Sequence, residues 1–429
     1  MAVEANLIKK ADLARVREVD FAERFAGSVN ELTKLLGIAR KLPKREGSVI
    51  KATKATGVLA AGNVAEGSGK VSGTGKITEG FGKVFRWLMA DDAPDDGLTP
   101  EEREETARAN RCGFRVLFRK ELADHLSGKR FRVLYILLLL VSAASLYGAV
   151  GTLQEASREA QAMNAAEESF HFLKLFTTAG SGIYSFSTFL SFLGPVFGIM
   201  LGFDAVNNEK AQGTLNRLAA QPIYRDTIIN AKFLAGAAVI ALTVFSIGGL
   251  MAGAGLLASG IVPQGEEWAR LMVFLFMVAV YISLWLAISM LFSVLSKHAA
   301  TSALFSIALW LFLTMFLSLA ANAVASLVYS GERVQTTMDL VEEYRFSVAL
   351  NRISPYYLFA EVTSVLMNPN VRSLDIMSVL EYQNGAVASY LTLGQSLLQI
   401  WPHLVAMIAE ALAGFIAAYI AFMKQEIRA

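Results

Sequence analysis

The stretch SGIYSFSTFLSFLGPVFGIMLGF, Ser181 to Phe203, decides the fold. None of its 23 residues is charged, and no charge occurs from Thr177 to Phe203. A hydrocarbon core about 30 Å thick is crossed by roughly 20 apolar residues rising 1.5 Å each. Backbone groups in lipid find no water, so such a segment satisfies them internally as a helix. A polar insert follows, FDAVNNEKAQGTLNRLAAQPIYRD, Phe203 to Asp226, and the chain turns apolar again at Phe233. The same alternation runs through the chain. Hydrophobic residues make up 54% of the 429 and charged residues 18%, with mean hydropathy +0.45. A soluble protein would carry about 25% charged residues. The composition implies an all-α polytopic membrane protein.

Six spans are predicted: Val133–Leu153, Ser181–Phe203, Phe233–Leu257, Leu271–Leu295, Ala300–Tyr329 and His403–Met423. Gly385–Trp401 is also uncharged, but Gln395, Gln399 and several hydroxyls make it a poor span. It is expected to be an amphipathic or re-entrant segment leading into the last helix. Lys129, Arg130, Arg132, Lys210, Arg217, Arg225, Lys232, Lys297, Lys424 and Arg428 all fall on one side of this arrangement. By the bias of basic residues toward the cytoplasm, that side is expected to be cytoplasmic, with both termini inside. Glu155, Glu159, Glu167, Glu168, Glu266 and Glu267 fall on the other. The large outer segment, residues 330–402, carries seven acids against four arginines. Trp268 and Trp401 sit at the outer boundaries, where amphipathic rings are favoured.

Residues 1–110 are too polar to span and form a cytoplasmic, basic, glycine-rich extension, with helical periodicity over residues 11–42. From Lys34 to Arg86 there are eleven basic residues and three acidic ones. A flexible linker, or a segment lying against anionic headgroups or an acidic partner, fits that composition. AEGSGKVSGTGKITEGFGK, within it, imitates a phosphate loop. The required pattern is G-x-x-x-x-G-K-[ST]. Here Gly69-Lys70, Gly75-Lys76 and Gly82-Lys83 are followed by Val71, Ile77 and Val84, and Val64, Lys70 and Ile77 stand where the first glycine belongs. No nucleotide is expected to bind there. Residues 111–131, RCGFRVLFRKELADHLSGKRF, present Phe114, Val116, Leu117, Phe118, Leu122 and Leu126 beside Arg115, Arg119 and Lys120. That pattern predicts an interfacial amphipathic helix ahead of the first span. Residues 132–429 form the six-helix transmembrane domain.

Cys112 is the only cysteine, which excludes an intrachain disulfide, and four scattered histidines form no metal-ligand spacing. No metal site, no catalytic residue and no nucleic-acid partner is expected. The first span is expected to serve as insertion signal, with no secretory leader visible.

Function concentrates in residues 204–226. Gly213 breaks the run leaving the membrane, and Thr214 is a candidate N-cap. Leu215–Ala220 suits a short helix that Pro222 ends by biasing Gln221 out of the helical region. Leu215 and Leu218 share a face beside Arg217. Tyr224-Arg225-Asp226 restarts a helix into the third span. The product is a compact knob between two membrane helices, suited either to docking a partner or to plain connection.

The run EKAQGTLNRLAAQPIYR resembles the E-x3-G-T-L-x2-L-x3-P-x2-R signature of type-2 ABC exporter permeases through Glu209, Gly213, Thr214, Leu215, Leu218, Pro222 and Arg225. SPYYLFAEVTSVLMNP, Ser354 to Pro369, resembles outer-loop sequence of the membrane-integrated branch, which includes permeases similar to those supporting nitrous oxide reductase maturation. The resemblance covers about Cys112 to Arg428 and does not extend to the basic extension. It implies two copies of the chain in the bacterial cytoplasmic membrane and two separate ABC ATPase subunits docked on the coupling helix. ATP and magnesium would sit on the partner, leaving this chain without ATPase activity. The cargo is not implied, and a mechanotransmission complex acting on an extracytoplasmic protein stays open beside export. Two polar residues inside the spans are candidate substrate contacts, Glu410 and Asn322. A structural role is open for both, Asn322 through interhelical hydrogen bonding.

Overall fold

A computed structural model describes residues 100–162, 170–180, 182–214, 224–329, 337–369 and 391–425. The basic extension up to residue 99 lies outside them. So do Leu215, Arg217, Leu218 and Pro222.

The described chain is helical, with one isolated antiparallel bridge between Gly180 and Ile183. Helix α1 spans Pro100–Ser127, α2 Lys129–Ala162, α3 His171–Thr177, α4 Phe186–Gly202 and α5 Asn207–Ala211. Then come α6 Arg225–Ser259, α7 Gly265–Leu295 and α8 Ala299–Leu311. A π-helical turn, Phe312–Phe316, joins α8 to α9, Leu317–Tyr329. The chain ends with α10 Thr337–Asn351, α11 Pro355–Met367 and α12 Leu393–Lys424. Among the described residues, six helices are long and apolar enough to cross a membrane: α2, α4 with α5, α6, α7, α8 with α9, and α12. The protein is an all-α polytopic membrane protein, as its apolar runs predict.

Two boundaries differ from the sequence reading. The helix before the first span begins at Pro100 and reaches Ser127, where Gly128 breaks it by donating its amide to the His125 carbonyl. Its apolar side packs on the protein: Leu117 is buried, and Phe114, Phe118, Leu122 and Leu126 lie against the core, leaving Val116 out. The last span begins at Leu393, ten residues before the expected His403, so residues 393–401 are neither re-entrant nor a separate surface helix. Two of the residues that argued against a span there, Gln395 and Ser396, are occupied. Gln395 accepts from the Thr392 amide as half of a capping box, and Ser396 accepts from Arg270. Pro402 then lies inside the continuous helix and withdraws one amide from its ladder.

Helix α7 is central, with Trp285, Arg270, Tyr281 and Phe274 fully enclosed. Between membrane helices, packing and hydrogen bonds replace the hydrophobic drive, so backbones must approach closely. Helix α4 achieves this with Gly194, Gly198 and Gly202, four residues apart. A Cβ on Gly198 would lie 2.5 Å from the Ile282 carbonyl oxygen, and one on Gly202 would lie 2.9 Å from that of Leu286. Tyr281 donates to the Ser191 carbonyl at 3.0 Å and Ser289 to that of Ile199 at 2.9 Å, stitching the same seam. The fifth span buries only Ser302, Ser306, Thr314, Ala321 and Ala325; most of its bulky side chains are exposed, and Trp310 and Leu313 are half-buried against the core. Its π turn is held by the Ser354 hydroxyl, which donates to the Leu313 carbonyl at 2.8 Å.

Arg270 organises the end of the bundle farthest from α1. Its guanidinium donates to the carbonyls of Leu366 (3.1 Å) and Leu391 (2.5 Å), to the Ser396 hydroxyl (3.1 Å) and twice to Glu266. Glu266 also accepts the Leu393 amide, which fixes where α12 starts.

Candidate functional site

The loop after α4 is held at both ends. At its beginning the Ser293 hydroxyl of α7 accepts the amides of Val206 (3.0 Å) and Asn207 (3.2 Å). Lys210 donates to the Val294 carbonyl at 3.2 Å. Helix α5 stops after Ala211, and Gly213 takes φ +68°, a left-handed conformation that glycine adopts without Cβ strain. Gly213 thus breaks the run, as expected. Thr214 is already helical, and its hydroxyl donates back to the Glu209 carbonyl at 3.2 Å, a bond the N-cap reading did not foresee. Helix α6 begins at Arg225 after an extended Tyr224, as the restart after Pro222 predicts. The Arg225 guanidinium donates to the Gln425 carbonyl at the end of α12 (2.8 Å), and the Gln425 amide donates to the Val294 carbonyl. The two described ends of the loop therefore converge on the last turn of α7, one directly and one through α12.

Behind the loop lies a buried charge cluster. Lys232 of α6 is 5% exposed, with its ammonium 2.7 Å from Glu209 and 3.0 Å from Glu121 of α1. Lys120 contacts Glu121 at 3.1 Å and Asp124 at 3.4 Å. Burial pushes the Glu121 carboxyl upward, but Lys232 and Lys120 beside it hold it below the ordinary range. His125 is held below its ordinary value mainly by burial. Arg130 pairs with Asp204 and covers the Phe203 ring at 5.5 Å. A cavity of about 660 Å³ opens between these groups, floored by Phe131, Met200 and Leu201.

Of the predicted site residues, Glu209, Gly213, Thr214 and Arg225 are thus gathered at one end of the bundle. Glu121 was not singled out, and Lys232 was counted only for its charge. The available signal was a lone lysine between Ala231 and Phe233, where an apolar span has begun. The substrate-path candidates lie elsewhere. The Asn322 carbonyl oxygen accepts the Ser347 hydroxyl of α10 at 2.5 Å, which is an interhelical bond of the structural kind. Glu410 is half-buried on α12, with Oε2 enclosed and without a hydrogen-bond partner among the described residues. Among those residues no three His, Cys, Asp or Glu side chains come together as a metal site.

Residues 115–427 match the family described as ABC-2 family transporter protein. The chain belongs to that family and is a multi-pass membrane permease subunit of an ABC transporter. It is similar to NosY of Pseudomonas aeruginosa, a probable ABC transporter permease protein. The two are 27% identical over 218 residues, covering 49% of this chain and 70% of that one.

Proposed function

We propose that the chain is an exporter permease subunit driven by separate ATPase chains through residues 204–226, including Glu209, Gly213, Thr214, Leu215, Arg217, Leu218, Pro222 and Arg225. The observation that carries this is the anchoring of the loop: Ser293 holds its start and the Arg225–Gln425–Val294 chain holds its end. A displacement delivered between those points has a short, hydrogen-bonded route into α7, the central helix. Two copies of the chain face two ATPases, which bind the ATP and magnesium. The loop end of the bundle faces the cytoplasm, supported by the lysines and arginines gathered there. Glu410, with its unpartnered oxygen, is the candidate substrate contact; Asn322 is the weaker one, its oxygen already engaged.

The test is purification of tagged permease from its native host with its ABC ATPase. Gly213→Pro and Leu218→Asp are expected to insert normally and to lose the ATPase or its permease-dependent turnover. Unchanged co-purification and unchanged turnover in both variants would sink the docking assignment. A second reading, mechanotransmission to an extracytoplasmic protein, is favoured by one observation: Arg270 ties α7, α11 and α12 together at the far end. Intact ATP turnover with no flux of any candidate solute in sealed vesicles supports that alternative.

A further inference from the structure

We propose that Lys232 is a positioning residue through which helix α1 sets the placement of the loop after α4. The proposal rests on the coupling role assigned to that loop. Three elements remote in sequence meet at one ammonium: Glu121 from α1, Glu209 from the loop and Lys232 from α6. Helix α1 is seated along α6, with Arg115 and Arg119 exposed on its other side, so a shift of α1 carries Glu121 with it. Lys232 is almost wholly buried and shared by two carboxylates, so separating it from either one weakens the compensation of a charge held away from water. The ammonium therefore favours arrangements in which α1 and the loop move together. Glu209 passes the constraint on, because its carbonyl accepts the hydroxyl of Thr214, the last described residue before Leu215. The cavity bounded by Lys120, Asp204, Glu209 and Thr214 gives the loop room to be placed in more than one way. An ordinary structural brace would stabilise the bundle without setting turnover.

The experiment uses the full chain in lipid nanodiscs, alone for hydrogen exchange and with its co-purified ATPase for turnover. In Glu121→Gln and Lys232→Gln, amides of residues 204–214 should exchange about tenfold faster while those of α7 stay unchanged. The ATPase should remain bound, and its permease-dependent turnover should fall about tenfold, a change equivalent to about 1.4 kcal/mol. Lys232→Arg should restore both. If Lys232→Gln fails to accumulate, Glu121→Gln decides, since it leaves Lys232 paired with Glu209. Wild-type loop exchange in Glu121→Gln overturns the proposal. So does faster exchange spread through all spans with turnover per complex unchanged, the signature of a brace. The outcome is separable from the coupling role: Leu218→Asp retaining full ATPase function would remove that role, whereas the exchange measurement is made without any ATPase.

Discussion

Glu361 and His403 are joined at 2.7 Å, and the same Glu361 carboxylate receives two further hydrogen bonds from Arg352, at 2.9 and 3.0 Å. One side chain of α11 thus fastens the end of α10 to the residue following Pro402 in α12. Burial raises the Glu361 carboxyl, but His403 and Arg352 together hold it below its ordinary value of 4.5. A carboxyl depressed on folding contributes stability that is present above its unfolded pKa and lost as pH falls through the folded one. Thermal unfolding in detergent is therefore expected to be level down to about pH 4.5 and to fall below it. Glu361→Gln should be less stable at neutral pH and should flatten the acid limb. An acid limb of unchanged depth in that variant would remove Glu361 as its source.

Gly198 sits where a Cβ would meet the Ile282 carbonyl oxygen at 2.5 Å, whereas one on Gly253 would meet nothing within 4 Å. Gly198→Ala is expected to destabilise by about 1–3 kcal/mol through overpacking. Gly253→Ala should be neutral or slightly stabilising. Equal melting temperatures for the two variants would contradict the close approach of α4 and α7.

Arg270 is completely enclosed and satisfies two carbonyls, a hydroxyl and a carboxylate. Arg270→Met should cost about 1–3 kcal/mol, because the Leu366 and Leu391 carbonyls lose their donor. Arg270→Lys should recover little, since an ammonium cannot reproduce the planar fork. Hydrogen exchange of residues 391–400 reports the effect, and full rescue by lysine would argue against the bonding pattern.

Ser293→Ala leaves the amides of Val206 and Asn207 without their shared acceptor. The expected loss is about 1–3 kcal/mol, expressed as local opening of residues 204–212. Protection there equal to wild type would show that the loop does not depend on α7.

Glu410→Leu is expected to raise stability by about 1–3 kcal/mol, because it removes an enclosed carboxylate oxygen that has no partner among the described residues. Under the proposed function it should also lower permease-dependent ATP turnover. A variant less stable than wild type would mean that Glu410 is held by structure.

The spans were legible because an apolar run of about 20 residues has few alternatives. The glycine break at Gly213 and the restart at Arg225 were legible from local chemistry. The start of α12 was not. Gln395 and Ser396 look like obstacles to a span until one sees that Gln395 closes its own capping box and Ser396 meets Arg270, 126 residues away. Lys232 was hidden for the same reason: in the sequence a charge beside a span belongs to the surface, and only the fold brings Glu121 to it across 111 positions. Local periodicity carries no information about such pairings.

The fifth span buries three hydroxyl-bearing side chains and two alanines, while most of its phenylalanines and leucines are exposed; Trp310 and Leu313 pack on the core and Phe305 stacks on Phe292 of α7. An interface with so few bulky contacts offers little resistance to sliding, and the stacking of Phe305 on Phe292 is a contact with α7 that a shift of this helix would have to break. Its π turn, closed from outside by Ser354, marks where such a shift would register. Bulk added at Ser306, in the half of the span that packs on α7, should act as a stop.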